Sequence, residues 1–297
     1  MSDSTILFKS ILIVGCGDVG KRVAAAWSET GLAVSGIVTS DSSAATLRDR
    51  QINAYQMNFK DPHADLPILS DKTLIYYFVP PPSTGRHDTH CQHFLAALSA
   101  QSTKVSRIVA ISTTGVYGNC EGQRVTEDRP PNPQVDRARR RLDMEQQLRH
   151  WCDAHSKQLV ILRVGGIYGP GRLPLQRIRD GVPVLHPHLA PSTNRIHADD
   201  LAAICVAAAQ VDVTFRIYNV SDGTDSNMTE YFYTLADYFG LPRPPAVDWP
   251  EAEKVMSKGM LSYLRESRRV DNRRMLDELN ITLKYPTLED GLVSCKA

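Results

Sequence analysis

Gly15-Cys16-Gly17-Asp18-Val19-Gly20 stands between a short apolar run at residues 11–14 and a stretch of helical periodicity at 19–29. Each glycine has a mechanical reason to be there: Gly15 permits a tight turn, Gly17 lets the backbone approach a pyrophosphate, and Gly20 lets helix and strand pack closely. The helix N-terminus then offers unpaired N–H groups and the positive end of its dipole to phosphates. Gly31 stops the helix and a second apolar run, 33–38, follows at once, which closes a strand–helix–strand unit. Farther on, residues 73–79, 107–111 and 159–163 are brief, rich in Val and Ile, and bounded by turn residues, as buried strands are. Residues 87–100, 137–154 and 199–209 carry helical patterns. Strands alternating with helices predict an α/β fold, a doubly wound parallel sheet covered on both faces.

Composition narrows the function classes. The chain has 297 residues, 42% hydrophobic and 23% charged, with 34 Lys and Arg against 33 Asp and Glu. A net charge of +1 supplies no field to attract nucleic acid or an acidic membrane surface. No apolar stretch approaches the roughly 20 residues of a membrane span. Ile6-Leu7-Phe8 and the run at 11–14 are split by Lys9 and lead into the glycine turn, which reads as a first strand rather than a signal sequence. The six cysteines are scattered without a CxxC pair, as in reduced thiols, and the expectation is a cytoplasmic protein. Beyond residue 165 the texture turns to Pro, Gly and loops, with late helices at 229–239 and 273–278. Residues 1–165, rejoined by 195–220 with its short strand at 217–220, are expected to form the nucleotide-binding core. Residues 166–194 and 221–297 are expected to form a smaller mixed lobe on the carboxyl edge of the sheet.

The carboxyl edge collects the candidate binding residues. Gly15, Gly17, Asp18, Val19 and Gly20 form the phosphate turn, with Asp18 read as a helix cap aimed at backbone N–H groups. The second strand ends in Thr39-Ser40, with Arg48 on the next helix, and these lean toward NADP(H). Asp41, one step late, would instead grip a ribose 2′-hydroxyl and favour NAD(H). Val79 and Pro80 end the next strand, where Pro80-Pro81-Pro82 removes backbone donors and holds the chain extended. Ser112-Thr113-Thr114 places hydroxyls at the neighbouring strand end, where an open α/β sheet binds its ligand.

With the stretches Ser112–Gly118 (Ser-Thr-Thr-Gly-Val-Tyr-Gly), 165–172 (Gly-Gly-Ile-Tyr-Gly-Pro-Gly-Arg), 196–201 (Ile-His-Ala-Asp-Asp-Leu) and 218–223 (Tyr-Asn-Val-Ser-Asp-Gly), the chain resembles an extended short-chain dehydrogenase/reductase, the nucleotide-sugar epimerase and dehydratase branch. Ser267-Arg268-Arg269-Val270 and Tyr285-Pro286 fit the C-terminal lobe of that family, so the likeness spans almost the whole chain. It implies a Rossmann core binding NAD(H) or NADP(H), a substrate between core and lobe, and a homodimer. Two features depart from the family. The first two glycines are two residues apart instead of three. The family's catalytic Tyr and the Lys one helical turn later are replaced by Arg137 and Arg141, and no Tyr in the chain has Lys four residues on.

A guanidinium cannot be a general base. On the helix at 137–154, Asp136–Arg140, Arg139–Asp143 and Arg141–Glu145 have the i, i+4 spacing of a salt-bridged solvated face. Arg137 lacks such a partner, which suits it to a carboxylate or phosphate. Thr113 aligns with the family's catalytic Ser or Thr, the plain alternative being strand-end capping. Tyr117 is a candidate substitute proton donor, or else a packing residue. Asp199 and Asp200 read as caps at a helix start. His87, His90, Cys91 and His93 could chelate a metal by spacing, but no fourth ligand follows, and no metal site is expected. The reading is an NAD(P)-dependent oxidoreductase or epimerase/dehydratase-like enzyme, acting on a hydroxyl or carbonyl carbon of a small anionic substrate such as a nucleotide sugar. The alternative is an NAD(P)-binding sensor that kept the fold and lost the chemistry.

Overall fold

The structure is a computed structural model that describes residues 7–296; Ile6 of the first apolar stretch lies outside the described residues. Among these, seven strands form one sheet: β1 (Ser10–Val14), β2 (Ala33–Val38), β3 (Asn53–Gln56), β4 (Thr73–Tyr77), β5 (Val105–Thr113), β6 (Gln158–Val164) and β7 (Phe215–Val220). Their order is β7-β6-β5-β4-β1-β2-β3 and every pairing is parallel. The order reverses direction between β1 and β4, and such a switch point opens a crevice at the carboxyl ends of the strands. β3 carries no apolar run, because it is an edge strand with Tyr55 and Gln56 exposed, and its sequence therefore gave no strand signal.

The core-side helices are α1 (Asp18–Ser28), α2 (Asp41–Arg48), α3 (Thr89–Ser99) and α4 (Asp136–Ala154). The chain then forms α5 (Leu175–Arg179), α6 (Ala198–Ala208), α7 (Met228–Tyr238), α8 (Trp249–Val255), α9 (Lys258–Leu264), α10 (Arg273–Leu279) and α11 (Leu288–Val293). Side chains alternate across the sheet with the period of two that a strand imposes. Ile11 and Ile13 pack with Val23 and Trp27 of α1 and Leu201 and Cys205 of α6. Leu12 and Val14 face the other way, toward Phe94 and Leu98 of α3 and Met144 and Leu148 of α4.

Phe232 and Leu235 of α7 pack on Tyr168, Ile178, Leu288 and Leu292, outside the sheet. α10 returns to the core: Met275 and Leu279 join the cluster around α1 and α6, and Glu278 pairs with Arg216 of β7. Asp200 accepts the backbone N–H groups of Lys284 and Tyr285 at 2.8 and 3.0 Å. No helix among the described residues is long and apolar enough to cross a membrane.

Candidate functional site

β1 ends in a turn that only glycine makes easily. Gly15 has φ +86°, and a Cβ there would sit 2.9 Å from the Phe78 carbonyl carbon and the Val79 nitrogen. The N–H groups of Gly15 and Cys16 both donate to the Ile37 carbonyl, which locks the turn onto β2. Gly20 is a packing position: an added Cβ would press to 3.1 Å from Ile13 Cγ2. Gly17 is the N-cap of α1 at φ −77°, with open space around it and no side chain capping the helix. The free N–H groups of the first turn, including those of Asp18, Val19 and Gly20, thus begin beside an opening. Burial pushes the Cys16 thiol up to about 12, so it stays a neutral packing group at ordinary pH.

That opening is a cavity of about 360 Å³. Gly15, Cys16 and Gly17 form its floor, Thr39 and Ser43 one side, Asn58 and Lys60 another, and Val79 and Pro80 the wall toward β5. Gly17→Val should lower the thermal midpoint only modestly, through a poorer N-cap with no clash at its Cβ, yet block a pyrophosphate at the turn. Gly15→Ala should lower the midpoint outright, through left-handed strain and backbone contact. Differential scanning fluorimetry with and without dinucleotide separates the two.

Several expected cofactor residues lie elsewhere. Asp18 does not cap α1; its carboxylate pairs with Arg172 at 2.7 Å and with Arg22 at 3.3 Å. Burial alone would raise its pKa, but these two guanidiniums bring it below the ordinary value. Ser40 spends its hydroxyl capping α2 at Ser43 N–H, and Ser43 takes the place in the cavity wall. Arg48 is in the last turn of α2, about 10 Å along the helix from the strand tip, and borders a separate depression with Gln51 and Tyr55. Ser112 borders the other cavity, described next, rather than this one.

Across the wall, a second cavity of about 310 Å³ opens over the ends of β5 and β6. Pro81, Thr113, Arg137 and Arg141 border it from the core, and Tyr263, Glu266 and Arg268 border it from the C-terminal segment. Three guanidiniums to one carboxylate make it electropositive. Arg141 donates to the Val79 carbonyl at 2.9 Å, which ties this cavity to the wall of the first. Arg137 is not unpaired: it donates to Ser262, lies 3.8 Å from Glu266, and stacks 3.7 Å from the Tyr263 ring centre. Glu266 Oε1 and Arg268 Nε are buried without a hydrogen-bond partner, an acceptor and a donor left open in one place. Glu266 and Arg268 were not singled out from the sequence as site residues, although the run Arg265-Glu266-Ser267-Arg268-Arg269 is dense in charge.

The helical ion pairs expected on α4 do not form. Asp136 pairs with Arg139, while Arg140 turns inward to the Gly85 carbonyl. Glu145 takes Arg163 of β6 at 2.7 Å and accepts the Ser112 hydroxyl. Asp143 accepts the Asp88 N–H at 2.7 Å. The inward positions win because α4 packs on the sheet, so tertiary partners displace helical neighbours. Tyr117 is 1% exposed and donates to Asn219 at 2.8 Å, with burial raising its phenol above the ordinary value. It does not border the cavity and is a packing residue, not a free proton donor. Thr113 does border it, while its Oγ1 also accepts the Gly115 N–H at 3.1 Å. His197, rather than Asp199 or Asp200, caps α6, and Asp199 pairs with Arg22. The histidines at 87, 90 and 93 turn to three different partners, Asp143, the Pro80 carbonyl and the Phe59 carbonyl.

Comparison with known proteins adds to this geometry. The model of the NAD dependent epimerase/dehydratase family matches residues 11–221. Protein YeeZ of Escherichia coli K12 is 25% identical over 285 residues, covering 94% of this chain and 97% of that protein. A functionally unknown conserved protein from Silicibacter pomeroyi superposes with a TM-score of 0.82 and 28% identity over 96% of both chains. UDP-glucose 4-epimerase from Thermotoga maritima shares the fold at a TM-score of 0.74 and 17% identity, over 95% of this chain and 96% of that one.

Proposed function

We propose, from the premise that the chain belongs to the NAD dependent epimerase/dehydratase family, that it is an NAD(P)-dependent enzyme. It would act on a hydroxyl or carbonyl carbon of a small anionic substrate such as a nucleotide sugar. The observation that supports this best is the pair of cavities sharing the wall Val79-Pro80-Pro81, one floored by the glycine turn and the other lined by guanidiniums. The open face of Gly17 and the uncapped start of α1 suit a pyrophosphate. A bound dinucleotide would supply a reversible hydride acceptor.

The chain's own residues then divide the work. Arg137, Arg141 and Arg268 would hold the anion of the substrate, with forks that match a carboxylate or phosphate. Thr113 would hydrogen-bond the reacting oxygen. The open Glu266 Oε1 would accept from a substrate hydroxyl. With Tyr117 committed to Asn219, proton exchange falls to Tyr263 and Glu266, the groups in the lining able to gain and lose one.

The positions of Arg137 and Arg141 favour the second reading, a dinucleotide-binding sensor without turnover. Calorimetry with NAD(H) and NADP(H) tests the shared premise, and no binding of any of the four would overturn both. A panel of alcohols, ketones and nucleotide sugars, followed by cofactor absorbance and product mass, then separates enzyme from sensor.

A further inference from the structure

We infer that Lys60 selects NADP(H) over NAD(H), its ammonium receiving the 2′-phosphate of the adenosine ribose; this rests on the dinucleotide reading above. The residues with hydroxyl, amide or basic side chains that border the glycine-turn cavity are Thr39, Ser43, Asn58, Lys60 and His90, with no Asp or Glu among them, and His90 turns its Nδ1 to the Pro80 carbonyl at 3.0 Å. A plain ribose diol is ordinarily gripped by an Asp or Glu at the tip of the second strand, whereas a 2′-phosphate needs a cation nearby. Asp41 could have supplied the carboxylate, but it is exposed in the first turn of α2 and does not border the cavity. Arg48 could have supplied the cation, and α2 carries it away.

The cation comes instead from the loop that follows β3, on the neighbouring strand. That loop is built before any ligand arrives. Met57 N–H donates to the Val38 carbonyl at 2.8 Å and so continues the ladder past the strand tip. Asn58 folds the turn, its side chain accepting Lys60 N–H at 3.1 Å and its carbonyl accepting Asp61 N–H at 3.0 Å. Phe59 is buried edge-on against Phe94 of α3, and its carbonyl is held by His93 at 2.8 Å. With Phe59 inside, the next residue is turned outward. Lys60 is exposed, and among the described residues no carboxylate lies within ion-pair distance of it. A fixed backbone presenting a free ammonium beside hydroxyls suits a phosphate monoester, while the same wall offers a neutral diol no charged acceptor.

The test is calorimetric titration of the whole chain with NADP⁺, NAD⁺ and adenosine 2′,5′-bisphosphate. A charge-assisted contact of ordinary strength corresponds to a preference of roughly 10- to 100-fold for NADP⁺. Lys60→Ala should remove most of that preference by weakening NADP⁺ and the bisphosphate, with NAD⁺ changing less than about twofold. Lys60→Arg should keep the preference and Lys60→Glu should reverse it. Arg48→Ala should change neither affinity. Unchanged melting temperatures would show that the variants remain folded. Equal or better binding of NAD⁺ by the wild type, or an undiminished preference in Lys60→Ala, would overturn the assignment while leaving the dinucleotide site standing. Binding of neither dinucleotide would overturn the site itself and Lys60 with it.

Discussion

Glu145→Ala is expected to cost about 3–5 kcal/mol of folding stability, the loss typical when one partner of a buried ion pair is removed. Glu145 and Arg163 are each only 4% exposed at the side chain, and their 2.7 Å contact joins α4 to β6. The Ser112 hydroxyl donates to the same carboxylate, and the Tyr117 ring lies 4.9 Å from the guanidinium. Alanine would leave that guanidinium charged inside a packed region with no anion. Glu145→Gln should cost less, because its amide oxygen can still accept from Ser112 or Arg163. Adding Arg163→Leu to Glu145→Ala should recover part of the loss, since the stranded charge goes too. Urea denaturation reads all four chains. A loss below about 1 kcal/mol for Glu145→Ala, the range of exposed pairs, would mean that water reaches the pair and that it does not anchor the end of β5.

The second large effect belongs to Arg137. Arg137→Ala should weaken an anionic ligand by about 2–5 kcal/mol, by analogy with truncated charge pairs. UDP, UDP-glucose and UDP-glucuronic acid are suitable calorimetric probes, and dinucleotide affinity should stay within about twofold. Arg137→Lys should restore only part of the binding, since a point charge loses the planar fork. Arg139→Ala is the appropriate control, because Arg139 is only half-buried and pairs with the exposed Asp136, whereas Arg140 is buried on the Gly85 carbonyl. Equal small effects at 137 and 139 would place the anion elsewhere than over β5 and β6.

Where sequence pattern reflects a local cause, it gave the structure almost to the residue. β2 and the glycine turn depend on short-range rules, and α4, α6 and α7 begin one residue before the expected starts. β3 was not legible because an exposed edge strand needs no apolar face. The site was legible only in part. Val79, Pro80, Thr113, Arg137 and Arg141 do border the two cavities. Helical spacing misled for α4, because i, i+4 neighbours compete with partners from other elements. Arg140, Arg141 and Glu145 found Gly85, Val79 and Arg163, each far away in sequence. Lys60 and Glu266 were missed for a related reason. Each stands beside its cavity through packing that no local pattern records, Lys60 by the inward turn of Phe59 and Glu266 by the placement of the segment after α9.

The return of α10 to the sheet bears on synthesis. As the chain leaves the ribosome, β1 to β6 emerge well before β7, and the outer edge of β6 stays open until residues 215–220 follow. An open edge can pair with another chain. Even then the core is incomplete, because Arg216 and Tyr218 find Glu278 only when α10 arrives, and Met275 and Leu279 fill the same cluster. Asp200 must wait longer still, for the N–H groups of Lys284 and Tyr285. Nascent chains therefore depend on residues 273–285 to close the core, and a stop codon between β7 and residue 285 leaves an unfinished core open to aggregation and proteolysis.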